Sequence, residues 1–440
     1  MRFIDLFAGL GGFHQALTSL GHECVYACEI SEPLAKLYES NYGIRPDRDI
    51  RKVAIESIPK FDILCAGFPC QPFSKAGKQA GMKDTDRGML FDEIVKIICL
   101  HKPKYFILEN VPFIRKHDNE ETWNYMVDKL ENELGYHIDH REYSPHEFGI
   151  PQHRKRIFIV GSSSKLDGFA FPEPTFQSVD VHQFVLQEPG NIRQIGDDEK
   201  GCLKLWQSFL NAIPKDVKVP SFPIWAMEFG ATYPYKQRFP FQMTQRQLAH
   251  YKGNFGKTLA RQDLNTQFSN LPSYARVKDE FPSWKIRYIQ NNRDFYQANK
   301  GYIQKSVDKI ARYSSQSWQK LEWNVQDGNR NIYDYILQFR ASGIRVKKTD
   351  FFPSLVCTNT QIPILGWEQR YLTKEEGAKL QSLNHQAMRL PENENAAFQA
   401  LGNAVNADIV ALIANELIHE HETASKNGKH TNLAKQAVFV

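Results

Sequence analysis

At 440 residues, with 42% hydrophobic and 24% charged side chains, the chain has a globular composition and room for one large domain plus a second. No uninterrupted apolar run reaches the roughly 18–20 residues of a membrane span, and MRFIDLFAGL enters a strand pattern without the features of a signal peptide, so a cytoplasmic protein with no membrane partner is expected. Seven cysteines with no CxxC pair argue against a zinc ribbon or a thioredoxin-like redox site, and no metal is expected.

In chain order, FIDLFA predicts a strand and GGFHQALTSLG a helix; CVYACEI and EPLAKLYESNYG repeat the pair. FDILCAG, YFILENV and RIFIVGS read as further buried strands, with helices near FDEIVKIICL and TWNYMVDKLENELG between them. Such alternation predicts a doubly wound α/β sheet of parallel strands, with ligands at their carboxyl ends. Cys65 and Cys99 lie in apolar runs and read as core residues.

After Ser162 the rhythm breaks at the proline-rich FPEPTF, and 165–350 reads as a separate α+β domain of short mixed elements. Between Lys218 and Arg312 sixteen basic side chains face six acidic ones, although the whole chain carries only +5. Tyr, Phe, Trp, Asn and Gln are interleaved with them. That mixture suits phosphate contacts and base-edge reading, and equally a solvated basic face. Alternation resumes at FPSLVC and RYLTKEEGAKLQSL, and NAAFQALGNAVNADIVALIANELIHE predicts one long helix. The segment 421–440 reads as a polar tail.

Four features carry chemistry. FAGLGG, residues 7–12, is a glycine turn between strand and helix, where the backbone can approach a ligand. Its spacing is not GxGxxG, yet Glu29 follows about 20 residues on, where an acid can hold ribose hydroxyls. In GFPCQPFS, Cys70 sits between two prolines, a stiff corner suited to a nucleophilic thiolate, though a small loop residue is the plain alternative. Glu109 closes the YFILENV strand, while Arg154 and Arg156 of PQHRKRIFIVG, two apart, would face one side at the sheet mouth.

FIDLFAGLGGF, GFPCQPFS, LENV, QHRKRIFIVG and FQALGNAV, in this order, resemble the ordered motifs of the DNA cytosine-5 methyltransferases. DRDI, RGMLF and RYLTKEEGAKLQ match the lesser motifs, so the resemblance covers 1–160 and 350–418. The resemblance implies an S-adenosylmethionine-dependent, Rossmann-like catalytic domain at 1–164, an inserted target recognition domain at 165–350, and a return segment at 351–420. It implies a cofactor pocket of Phe7, Gly9, Leu10, Glu29, Ile30, Asp49, Ile50, Gly67, Phe68, Pro69 and Leu90, completed by Asn403 and Val405. S-adenosylhomocysteine would be the product.

By the same resemblance Cys70 would add to C6 of a flipped cytosine, Glu109 would engage N3 and the exocyclic amine, and Arg154 and Arg156 would support them. Gln71, Ser74 and Lys78 would begin a DNA-facing loop. Arg238, Arg246, Arg261 and Ser354 are further DNA-contact candidates, with serine standing where the family carries threonine. The expected activity is sequence-specific methylation of double-stranded DNA by a monomer, partnered in restriction–modification by an endonuclease acting on the same site. A tRNA-directed relative and a non-catalytic DNA-binding relative are the alternatives. The inserted domain of roughly 185 residues argues against the first, because groove reading needs its own module. The intact Cys70, Glu109, Arg154 and Arg156 argue against the second.

Overall fold

The computed structural model describes residues 1–69, 89–190, 192–356 and 361–425. The chain forms two compact units, one of residues 1–179, 353–357 and 374–440, the other of 180–352 and 358–373.

In the first unit β1 (Arg2–Leu6) lies between β2 (Glu23–Cys28) and β3 (Ile63–Gly67), with β4 (Tyr105–Asn110) beside β3, all parallel. Helices α1 (Gly12–Ser19), α2 (Glu32–Tyr42) and α3 (Met89–His101) alternate with them, and α4 (Glu121–Asp128) follows β4. β4 is buried along its whole length, as expected of a parallel strand covered on both faces. The α/β class expected from the sequence holds, with a difference at one edge. β5 (His137–Tyr143) is a strand the sequence pattern did not predict, and β7 (Arg156–Ser162), the expected parallel RIFIVGS strand, runs antiparallel between β4 and β5. The cause is the connection: between β5 and β7 lie only a 3-10 turn and the two-residue strand β6 (Gln152–His153). A parallel return needs a crossover long enough to hold a helix. β5 itself, HIDHREY, is charged and only partly buried, so it lacks the apolar signature of its neighbours.

Cys65 is fully buried, but Cys99 is exposed. On α3 the buried stripe is Ile94, Val95, Ile97 and Ile98, and the helical period turns Cys99 and Leu100 outward.

The second unit contains α5 (Val181–Phe184), α6 (Asp197–Ala212), β8 (Ile224–Trp225), α7 (Gln245–Leu248), α8 (Leu264–Ser269), α9 (Ser283–Ile310), β9 (Lys320–Asn324), β10 (Ile336–Arg340) and β11 (Gly343–Lys347). Its six-stranded sheet runs Arg370–Tyr371, Ile364–Leu365, β10, β11, β9, β8. The unit is α+β as expected, yet its elements are not all short, since α9 spans 28 residues. Only scattered positions of α9 are apolar and buried, among them Ile289, Ile303, Val307 and Ile310, which leaves little periodicity to read. Trp206, Phe209 and Leu210 of α6 pack with Ile303 and Val307 against sheet residues Leu321, Trp323 and Leu337. A smaller core of Tyr233, Phe239, Leu259, Leu271 and Ile289 forms beside the buried Glu228. Arg293 Nε neutralises that carboxylate at 2.9 Å, and the Tyr233 and Tyr274 hydroxyls donate to it.

The return segment supplies α10 (Lys374–Leu380), α11 (Glu394–Asn403) and α12 (Ala407–Ser425). The single long helix expected from the pattern is therefore two, separated at 404–406. Asn406 explains the break: its Oδ1 accepts from the Ile409 N–H at 3.1 Å, capping a new helix. The segment Glu394–Ile418 reaches a mean hydropathy of 1.3, but it is interrupted here and 67% of that apolar window is buried, the setting of a core element. α12 packs on α1 and continues to Ser425, into the stretch that reads as polar tail.

Candidate active site

The carboxyl ends of β1 and β2 make the first half of the site. Phe7 and Gly9 both have positive φ, 58° and 54°, which turns the chain sharply out of β1. The turn is held by Glu29, 8% exposed, whose Oε2 accepts from the Gly9 N–H at 2.8 Å and whose Oε1 accepts from the Ser31 N–H at 2.7 Å. A carboxylate has about four lone-pair sites. Glu29 thus fixes the turn and keeps acceptor capacity for hydroxyl donors. Next to it Ile30 is 63% exposed, an open apolar surface at the end of β2.

The other residues expected around a nucleoside divide by what their side chains do. Asp49 is engaged by Arg51, with Nε and Nη2 each at 2.9 Å, which holds its carboxyl below the usual range. Leu10 and Ile50 are buried, and the Leu10 carbonyl accepts from the Tyr42 hydroxyl at 2.9 Å. Phe68 is buried against Phe91, with ring centroids 5.9 Å apart, while Gly67, Pro69 and Leu90 are partly buried.

Behind the turn lies a cluster that the motifs did not reveal. His14 Nδ1 is 2.7 Å from the Tyr38 hydroxyl, which donates to Asp5 Oδ2 at 3.3 Å, and His14 stacks on Tyr42 at 4.0 Å. Burial holds His14 down to about 4, so it is neutral near pH 7, and pushes the Asp5 carboxyl well up. The alternation of HQALTSL and KLYESNY at helical spacing was the available signal. It marks inward faces without saying that those faces are polar.

The second half of the site lies where β3, β4 and β7 end. Gly67 is the register partner of Glu109, and a Cβ built on Gly67 would sit 3.7 Å from Glu109 Oε2. Asn110, which pattern reading passed over, donates from Nδ2 to the Phe68 carbonyl at 3.4 Å and accepts the Val111 N–H at 2.8 Å. It ties the chain leading to Cys70 to the strand bearing Glu109. Glu109 is 7% exposed, with Oε1 2.9 Å from Arg156 Nε. That ion pair lacks hydrogen-bond alignment, and Oε1 is buried with no hydrogen bond. Burial raises the Glu109 pKa, against the lowering pull of Arg156 and then Arg154.

Arg154 and Arg156 do not act as one pair. Arg154, 3% exposed, sends Nη2 to the carbonyls of Gly402 and Ala404, both at 2.9 Å, and Nη1 to the Leu355 carbonyl at 3.3 Å. Arg154 Nη1 is also 3.5 Å from Ser354 Oγ. These bonds bracket Asn403, which is exposed, and lead into Val405, whose Cγ1 would lie 2.6 Å from a Cβ placed on Gly12. Gln15 adds a second tie, donating to the Ser382 carbonyl at 2.6 Å and accepting the Asn384 N–H at 2.7 Å. The return segment is thereby seated against the glycine turn.

A family model for C-5 cytosine-specific DNA methylase matches residues 1–419. This chain belongs to that family. It is a DNA cytosine-5 methyltransferase, of a family that draws its methyl group from S-adenosylmethionine. The methylase is 30% identical to the type II methyltransferase M.AluI of Cellulosimicrobium cellulans, over 96% of this chain and 93% of that one. It is 40% identical to M.HhaI of Haemophilus parahaemolyticus, over 50% of this chain and 67% of that one. A solved structure of a DNA modification methyltransferase encoded within an E. coli prophage shares the fold, with TM-score 0.51 and 18% identity over 96% of this chain and 99% of the other.

Cys70, Gln71, Ser74 and Lys78 of the methylase lie outside the described residues. Pro69 is the last described residue before the cysteine. In the second unit Arg238, Arg246 and Arg261 are all exposed.

Proposed function

We propose that this methylase modifies cytosine within a specific double-stranded site, as the protecting partner of a restriction endonuclease, through a covalent Cys70–C6 adduct. The observation that carries the chemistry is Glu109: buried, with a raised pKa, an oxygen lacking a hydrogen bond, and a place against Gly67, three residues before Cys70. Burial favours the protonated form of this carboxyl, and in that form it can donate to N3 of a cytosine while accepting from its exocyclic amine.

Relief of charge at N3 lets the Cys70 thiolate add to C6, which places an electron pair at C5. S-adenosylmethionine supplies an electrophilic methyl group on a sulfonium. With the donor bound, the C5 electron pair would take that methyl and the donor's sulfur would keep the electrons of the broken bond. A base or water then removes the C5 proton, the C5–C6 double bond re-forms, and the thiolate leaves with its electron pair. Arg156 restrains Glu109 throughout, and Arg154 keeps Asn403 and Val405 beside the glycine turn. Phe7, Gly9, Glu29, Ile30, Asp49, Ile50, Phe68 and Leu90 fit a nucleoside-bearing cofactor: a left-handed turn, a carboxylate with spare acceptors and an open isoleucine converge there. The 180–352 unit acts as the target recognition module, and the enzyme works as a monomer on chromosomal DNA in the cytoplasm.

Bisulfite sequencing of DNA from cells producing the enzyme tests the reading: methylation confined to one short sequence is expected. Scattered methylation, or modification of RNA alone, overturns it. Cys70→Ala should abolish methyl transfer and keep DNA binding; turnover by that variant would refute the covalent route.

A further inference from the structure

From Phe229 to Gln262 the chain carries Lys236, Arg238, Arg246, Lys252, Lys257 and Arg261 and not one aspartate or glutamate. All six cations are exposed. Among the described residues none of them forms an ion pair. Other arginines of the same unit are occupied. Arg276 donates to the carbonyls of Leu271 and Ser269 at 2.9 and 2.7 Å, and Arg330 to those of Pro214 and Val217 at 3.0 and 2.7 Å. Arg293 neutralises Glu228, and Arg340 and Arg345 share Glu322. A net positive stretch whose charges are left unneutralised by the protein is suited to an external polyanion.

The stretch is also a built surface. Gln267, fully buried, donates from Nε2 to the carbonyls of Gln245 and Leu259 at 3.1 and 2.8 Å. Gln245 in turn donates to the Gln262 carbonyl at 2.9 Å. These bonds join the two backbones that carry Arg246 and Arg261, each next in sequence to a bonded residue. Lys252 and Thr258 form an antiparallel bridge, the Lys257 carbonyl accepts from the Gly253 N–H at 2.8 Å, and the Lys252 carbonyl accepts from the Thr232 and Tyr233 N–H groups at 3.0 and 3.2 Å, which anchors Lys252 and Lys257. Arg261 has φ of 58°, an unfavourable conformation for a bulky residue, and the surrounding bonds hold it there.

We propose that this basic stretch reads the DNA duplex, with Arg246 and Arg261 directed to base edges and Lys236, Arg238, Lys252 and Lys257 to phosphates. Arginine presents a planar fork that can bond two acceptors of guanine at once, and the Gln245 and Gln267 bonds fix the backbones beside Arg246 and Arg261 for that purpose. Those bonds do not reach Arg238, which is assigned to phosphate with the lysines, whose ammonium groups act as point charges. The assignment rests on the recognition role of the 180–352 unit, and it places readout on 236–261 rather than on the outward side of α9.

The test uses the full-length enzyme, plasmid DNA and a labelled methyl donor, with bisulfite sequencing of the product. Arg246→Lys and Arg261→Lys keep the charge and lose the fork. Each is expected to relax the methylated sequence at one position, or to slow methylation about ten- to a hundredfold, with cofactor affinity unchanged. Lys252→Gln and Lys257→Gln should keep the sequence while each lowers the slope of log affinity against log salt by about one. Arg287→Ala, on α9, should change neither. An unaltered sequence and rate in both arginine variants overturns the proposal, as does loss of specificity in the Arg287 variant. Failure of the wild-type enzyme to methylate any plasmid sequence would instead remove the recognition reading itself. Circular dichroism and cofactor affinity establish that each variant is folded.

Discussion

Replacing Arg154 by alanine tests how the return segment is held. The guanidinium makes two 2.9 Å bonds to the buried carbonyls of Gly402 and Ala404 and a longer one, 3.3 Å, to Leu355. Removing the donor leaves each short-bonded acceptor buried and unsatisfied, at about 1–3 kcal/mol apiece, with a smaller loss at Leu355. The total is about 4 kcal/mol. For a unit of roughly 250 residues that is a fall of about 8–16 °C in the unfolding midpoint. Arg154→Lys, whose ammonium lacks the second arm, should recover about half. Because Asn403 lies between the two bonded carbonyls and Val405 directly after them, loosening this segment should also weaken S-adenosylmethionine binding at least tenfold. Calorimetric unfolding and cofactor titration measure the two effects. An Arg154→Ala enzyme with a midpoint within 2 °C of wild type and unchanged cofactor affinity would refute the reasoning.

Glu109 has a raised pKa because it is buried, so its protonated form persists to higher pH than an ordinary carboxyl's. Its contribution to stability is fully present below the ordinary carboxylate pKa and is lost as pH rises through the raised value. If the protonated form does the work, methylation declines over the same rise. Glu109→Gln should cut the rate about 100- to 10,000-fold, leave cofactor affinity alone and abolish that limb of the pH–rate profile. Arg156→Gln removes the cation that lowers the Glu109 pKa, so the limb should move to higher pH; a move to lower pH would contradict the assignment. Gly12→Ala would drive a methyl group to 2.6 Å from Val405 Cγ1 and 2.7 Å from the Val405 carbonyl oxygen. Overpacking against a backbone atom should cost about 1–3 kcal/mol in a denaturation curve and weaken cofactor binding with it.

Much of the first unit was legible locally. The apolar runs FIDL, DILCA and YFILEN make buried strands wherever they are placed, and FAGLGG must turn because Gly9 takes a left-handed conformation after β1. The order of the motifs carried the resemblance from which the chemistry was expected; those at β1, β3 and β4 stand at the carboxyl ends of strands that their own apolar patterns define, whereas FQALGNAV closes the helix α11. What pattern could not supply was anything set by residues far apart in the chain. Arg154 looked like a partner of Arg156 because the two are neighbours in sequence. Its hydrogen bonds go instead to carbonyls about 250 residues away, and backbone carbonyls leave no trace in side-chain patterning. The raised pKa of Glu109 arises from packing of the sheet ends around it, and the reversal of β7 from a connection without a crossover helix. In the second unit the sequence determined the surplus of positive charge. Only the tertiary structure decided which cations are taken up by Glu228, Glu322 and backbone carbonyls and which remain free, because neutralisation depends on distance in space and not along the chain.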